Sequence, residues 1–243
     1  MDMFVSSAAR AVVPTVTPSP SDISAALMAA AYCLLDPLAR GQAVDTAALR
    51  AVMTTAFGGS DADGAWDWKT AYDAGEAATV LFLRKFGRGM RGRAGSAAAL
   101  LAMLAKVTAL LPSHTRHSEE SQALQQFSTP IALGFAAATA AAITLADLVL
   151  EPSAGTGLLA IFAELAGSGL VLNELADARA AVLGRLFADV SVTQCDAAHI
   201  HDHLESAVRP SVVLMNPPFS LAAHVDGPVA DAALRHVADR AAA

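Results

Sequence analysis

The sequence predicts an α/β protein, a helical first half leading into a parallel sheet wound by helices. Three observations predict it. Residues 21–112 carry apolar stripes at helical spacing and no strand signal. From Asp147 onward, short aliphatic runs alternate with helix-like runs, the pattern of right-handed βαβ crossovers. Two of those runs end in tight turns that carry chemistry, Glu151-Pro152-Ser153-Ala154-Gly155-Thr156-Gly157 and Asn216-Pro217-Pro218-Phe219.

The elements follow in order. Residues 1–20 are small and proline-rich (Pro14, Pro18, Pro20) and are expected to be flexible. Ser21 or Asp22 can cap a first helix with the stripe Ile23, Leu27, Ala30, Leu34 and Leu38. A second helix fits Thr46 to Phe57, with Leu49, Val52, Met53 and Phe57 inward. Gly58 to Trp68 reads as a loop. A third helix fits Thr70 to Phe86 and a fourth Ser96 to Leu111, where Pro112 stops it. Residues 113–124 form a polar linker, and residues 125–243 the sheet domain.

Within the second half, strands are expected at Asp147–Leu150, Leu170–Asn173, Val190–Gln194 and Val212–Met215. Helical runs are expected at Leu158–Leu165, Asp177–Phe187, Ile200–Ser206 and Val229–Arg240. Four strands make a small sheet with an open edge, and such an edge calls for a covering partner.

Composition sets outer bounds. The chain has 243 residues, 54% hydrophobic and 16% charged, so a large core is easily built. A net charge of −7 excludes a protein that coats nucleic acid with its whole surface, while leaving room for a local basic patch. Cys33 and Cys195 fit no disulfide or metal spacing and are expected as buried small apolar residues in a reducing cytoplasm. Residues 1–11 lack a secretory pattern, and the apolar run Ala132–Ile143 is too short to span a bilayer. The expectation is a soluble cytoplasmic protein with no membrane partner.

The glycine turn follows a strand and precedes a helix, where free N–H groups and a bare backbone let a ligand approach. It lacks the third glycine of the dinucleotide fingerprint, since Ala160 stands there, and it lacks the Lys of a phosphate loop. Glu151 would repel a pyrophosphate but suits a cationic ligand, such as a sulfonium with an ammonium group. Glu174 ends the second strand, roughly 20 residues beyond the glycine turn, where nucleoside-binding sheets grip ribose hydroxyls. Asp196 ends the third, where a carboxylate can accept from an adenine amine. The consecutive prolines after Asn216 can neither continue a ladder nor enter a helix interior, so they set an amide beside an aromatic ring at a strand's carboxyl end.

On these motifs the chain resembles the S-adenosylmethionine-dependent methyltransferases, and among them the N6-adenine DNA methyltransferases. Gln125-Gln126-Phe127-Ser128-Thr129-Pro130 is similar to the cofactor-contacting motif those enzymes carry ahead of the glycine turn, and the motif order is similar to their gamma arrangement. The resemblance covers about residues 125–240, and the whole chain more loosely resembles the amino-terminal part of bacterial strawberry-notch-like methylase–helicase proteins. It implies a Rossmann-like methyltransferase sheet, here apparently truncated, with S-adenosylmethionine as cofactor and DNA as partner. A C-terminal helicase part or another partner would cover the open edge.

By the same resemblance, Phe127, Thr129 and Pro130 wall the methionine moiety. Glu151, Ser153, Gly155 and Gly157 line the sulfonium and amino acid end. Glu174 holds the ribose, and Asp196 meets the adenine amine. Asn216 and the Pro217 carbonyl accept from the target amino group and free its lone pair, with Pro218 keeping the turn rigid and Phe219 stacking on the base. Two alternatives stay open: methylation of a protein glutamine or an RNA base, and a non-catalytic module that binds cofactor or DNA for a larger helicase.

Weaker signals remain. Arg84, Lys85, Arg88, Arg91 and Arg93 put five positive charges in ten residues, read as a glycine-bearing loop that either tracks a phosphate backbone or is simply solvated. His199, His201 and His203 alternate on what reads as a solvent-facing crossover, and no metal is expected there. Asp61-Ala62-Asp63-Gly64 places its glycine too early for a calcium loop.

Overall fold

A computed structural model describes residues 19–112 and 128–216. The expected linker 113–124, Phe127, the Pro217-Pro218-Phe219 turn, the closing helix at Val229–Arg240 and nearly all of residues 1–20 lie outside the described residues.

Helix α1 spans Pro20–Ala39. Its cap is Ser19 rather than Ser21 or Asp22. The Ser19 side chain accepts from the Asp22 amide while the Asp22 carboxylate accepts from the Ser19 amide, and Pro20 occupies the first turn, where its missing N–H costs nothing. α1 is long and apolar enough to cross a membrane, but here Leu27, Leu34 and Leu38 fill the protein core. Helix α2 spans Thr46–Phe57, capped by Asp45 and ended by Gly58 in the left-handed region. Tyr32 stands exposed on α1, as does Cys33, against expectation; Cys195 is buried.

Helix α3 is the main departure. It runs over Trp68–Ala94, 27 residues, starting at the Asp67 cap and ending at Gly95. The stretch from Arg84 to Arg93 is therefore helix and not loop. Three glycines lower its helix propensity, but tertiary packing overrides that cost. Gly87 lies against Leu165, where an added Cβ would come within 2.8 Å, and Met90 is buried. Helix α4 spans Ala97–Thr108 behind its Ser96 cap.

Helix α5, Ile131–Ala140, was not expected as an element. It is almost wholly apolar, so no polar face marks its period. It packs closely: a Cβ on Gly134 would meet the Phe162 ring at 3.0 Å and the Leu158 carbonyl at 3.1 Å.

The sheet has four parallel strands, β1 Leu148–Glu151, β2 Gly169–Asn173, β3 Val192–Thr193 and β4 Val212–Val213, in the order β3-β2-β1-β4. Leu150 pairs with Val171 on one side and Val213 on the other. The crossovers are α6 Ala160–Ala166, α7 Asp177–Leu186, and a single 3₁₀ turn at Ala197–His199 that runs into the short α8, Ile200–His203. The order is compatible with a doubly wound, Rossmann-like sheet, in which the strand order reverses beside β1. β3 and β4 are shorter than the sequence suggested, two residues each, while β1 and β2 reach or exceed their expected lengths.

One apolar cluster runs from Leu27 and Leu34 through Leu83 and Leu104 to Leu172 and Leu183. Helix α1 packs on both α3 and α7, so the helical half and the sheet half share one interior.

Candidate functional site

The carboxyl ends of the four strands converge on one cavity of about 170 Å³. Seven residues expected at the site border it: Thr129, Glu151, Ser153, Gly155, Glu174, Asp196 and Asn216. Two expected residues do not. Pro130 borders a second, more apolar cavity of about 520 Å³, which adjoins the first through Glu76, Ser128, Thr129 and Leu158. Gly157 faces inward instead: its φ is +86°, and a Cβ there would sit 2.4 Å from the Phe187 ring. Gly157 thus lets α7 close against the loop, whereas Gly155, at φ +57°, borders the cavity.

The loop is braced from below. Asn173 donates to the carbonyls of Pro152 at 2.8 Å and Cys195 at 2.9 Å, and its oxygen accepts from the Cys195 amide at 3.1 Å. One buried amide therefore ties together the ends of β1, β2 and β3. Burial and neighbouring Asp196 push the Cys195 thiol up.

Glu174, expected to face a ribose, already supports the loop. Its carboxylate accepts from the Gly155 amide at 2.7 Å and from the Ala176 amide at 2.9 Å. A carboxylate has about four acceptor positions, so capacity remains on the cavity side. Asp196 stands at the rim, exposed, and its side chain accepts from Ala198 N–H to cap the 3₁₀ turn. Asn216 borders the cavity just beyond β4.

Glu151 is 1% exposed, and its Oε2 has no hydrogen-bond partner among the described residues. Burial pushes its carboxyl well above the ordinary range; the Ala160 amide pulls it down and the charge of Glu174 adds to the rise. An unpartnered buried oxygen of this kind is costly and is relieved by a donor or cation.

The sheet half does not build the site alone. Helix α3 contributes Glu76, 6% exposed, which accepts from the Thr156 hydroxyl at 2.6 Å. Beside it Asp73 accepts from Arg179 on α7, with Nη2 to Oδ1 at 2.7 Å and Nε to Oδ1 at 3.1 Å, and Lys69 lies 3.6 Å from the same carboxylate. Burial works against the Arg179 charge, but Asp73, Glu76 and Glu174 outweigh it and raise its pKa. Asp73 and Glu76 stood in the sequence as two acids in the otherwise small and apolar run Ala71–Val80. That was the available signal for a polar task on a buried face.

The basic segment divides. Arg84 is committed to the fold: it makes a bidentate pair with Glu164 on α6 at 2.6 Å and lies 4.9 Å over the Phe187 ring. It is therefore removed from the candidate nucleic-acid contacts. Lys85, Arg88, Arg91 and Arg93 are exposed on the last turns of α3. Their place near a helix C-terminus also complements the helix dipole. Among the described residues no group of three or more His, Cys, Asp or Glu side chains could hold a metal ion.

No family model matches the chain, and neither a curated protein nor a solved structure matches it.

Proposed function

We propose that this chain is the cofactor-binding and catalytic part of an S-adenosylmethionine-dependent methyltransferase acting on the exocyclic N6 of adenine in DNA. One observation carries the reading. Glu151, Gly155, Glu174, Asp196 and Asn216, each at a strand's carboxyl end, border a single cavity, where ligands of open α/β sheets bind.

The residues present fit such a cofactor. Among the described residues, four carboxyl groups border the cavity against one guanidinium, and that guanidinium is held by Asp73. This set of acceptors suits a nucleoside with net positive charge, and the unpartnered Glu151 oxygen suits a cationic or N–H-bearing end. When bound, S-adenosylmethionine supplies an electrophilic methyl group on sulfur.

The chain's own contribution is positioning and charge. Gly155 keeps the loop open to the ligand while Glu174 holds that loop in shape. Asp196 offers an acceptor at the rim for an adenine amine. The Asn216 side chain offers an acceptor for the amino group of the target base, next to the cofactor space. A duplex base must leave its stack to reach this site, at a cost of a few kcal/mol. The exposed cations ending α3 offer a phosphate contact that would help hold the strand.

Calorimetry with S-adenosylmethionine and transfer of a labelled methyl group to DNA, to RNA and to a release factor, as the protein-glutamine substrate, test the proposal. Binding with transfer to DNA alone is expected, and Asn216→Ala is expected to keep binding while transfer falls by about 10²–10³. A chain that binds no S-adenosylmethionine refutes the reading. Transfer only to RNA or to release factor redirects it.

A further inference from the structure

A cavity of about 540 Å³ opens between α3, α4, α5 and α6. It shares no bordering residue with the cavity at the strand ends. Ile143, on the approach to β1, and Leu165, near the end of α6, both border it, so it lies toward the strands' amino ends. Its volume is that of a small-ligand site.

The walls are apolar. Met90, Leu100 and Leu104 are buried against it, and Phe135 meets Phe162 there with ring centroids 5.9 Å apart. The polar side chains on its border, among the described residues, are Ser96, Thr139, Arg88 and Arg91. Both hydroxyls serve their own helices. Ser96 accepts from the Ala99 amide at 3.1 Å, and Thr139 donates to the Phe135 carbonyl at 2.7 Å. The two guanidiniums are neighbours on α3 and exposed. Among the described residues neither makes an ion pair, and no acid borders the cavity. Helices α4 and α5 carry no acid at all. The one acid of α6, Glu164, is held by Arg84 at 2.6 Å, and Asp73 and Glu76 stand toward the other end of α3.

An apolar hollow edged by two unneutralised guanidiniums matches a molecule divided the same way. Its anionic head would meet the planar fork of an arginine, which suits a carboxylate, and its chain would leave water for the apolar walls. We propose that this cavity binds an amphipathic carboxylate, its head at Arg88 and Arg91 and its aliphatic chain against Leu100, Phe135 and Phe162. The site is independent of the cofactor proposed for the strand ends.

Titration calorimetry on the full chain tests this with decanoate, decanol and decyltrimethylammonium, all kept monomeric. Decanoate is expected to bind at a single site, about tenfold tighter than either of the others. Shortening it to hexanoate should weaken binding by about tenfold or more, because four methylene groups leave the cavity. In the double variant Arg88→Gln with Arg91→Gln, affinity for decanoate should fall about tenfold while that for decanol stays within about twofold. Ala138→Leu, which adds volume at the cavity wall, should weaken both. Absence of saturable decanoate binding, no preference for the carboxylate, no dependence on chain length or an unaffected arginine variant would each overturn the proposal. If Ala138→Leu does not fold by circular dichroism, the arginine variant and the chain-length series decide. S-adenosylmethionine enters none of these measurements, so their failure leaves the proposed function standing.

Discussion

Arg179 on α7 grips Asp73 on α3 through two nitrogens, 106 positions apart in sequence and both buried. The pair fastens the helical half to the crossover that follows β2. It stands directly behind the acids of the cavity. A second bidentate pair, Arg84 with Glu164, fastens α3 to the preceding crossover, α6, half-exposed. Helix α3 is thus part of the site's frame.

Breaking the buried pair should be costly. Asp73→Ala strands Arg179 as an uncompensated buried charge, and a loss of about 3–5 kcal/mol is expected. Denaturant unfolding at constant m-value measures it. The double change Asp73→Leu with Arg179→Met should recover most of that loss, because an apolar pair of similar volume carries no desolvation penalty. Strictly additive losses in the double variant would contradict this.

Gly157 and Gly155 should separate stability from binding. Gly157→Ala places a methyl group into the Phe187 ring at a left-handed backbone position, and about 2–4 kcal/mol of stability should be lost. Shrinking the ring with Phe187→Leu in the same chain should return part of it. Gly155→Ala meets nothing closer than 3.7 Å, so its cost should be the backbone strain alone, about 1–2 kcal/mol. Its larger effect should be on ligand affinity.

Glu151 should give the protein's stability a pH dependence of definite sign. Its folded-state pKa is raised, so the folded chain keeps a proton that the unfolded chain releases above its ordinary value of 4.5. Stability from this group is present below that value and is lost as pH rises toward the folded-state pKa. Glu151→Gln should remove the slope. Unfolding free energies measured at intervals from pH 5 to 8, on both proteins, compare the two, and parallel curves would contradict the assignment.

The basic end of α3 should act through phosphates alone. Replacing Arg88, Arg91 and Arg93 with Gln should weaken binding to any duplex and reduce the slope of log affinity against log salt by about 2–3. Arg84→Gln should leave that slope unchanged and lower the melting temperature, since its partner is Glu164. An unchanged slope in the triple variant would show these residues to be ordinary helix-terminal cations.

Most of the strand-end site was legible in the sequence. Glu151, Glu174, Asp196 and Asn216 end aliphatic runs, and a parallel sheet brings such ends to one edge whatever the details of packing. The α2 boundaries were legible too, because Asp45 and Gly58 are strong local signals. Helix α5 was not, since a nearly uniform apolar run has no period to read. The length of α3 was not either, because glycines at 87, 89 and 92 speak locally for a loop while Leu165 and the buried Met90 speak for a helix only once the chain has folded.

Residue order by itself determined the α/β class, the four strands and the acids and amide that end them, because period and punctuation are local properties of the chain. Tertiary structure alone decided that Gly157 makes room for Phe187 while Gly155 faces the cavity, and that Arg84 belongs to Glu164. It alone brought Asp73 and Glu76 beneath the glycine loop. Those choices depend on which distant side chains share a dry interior, and burial of a charge or a ring is settled by neighbours that no sequence window contains.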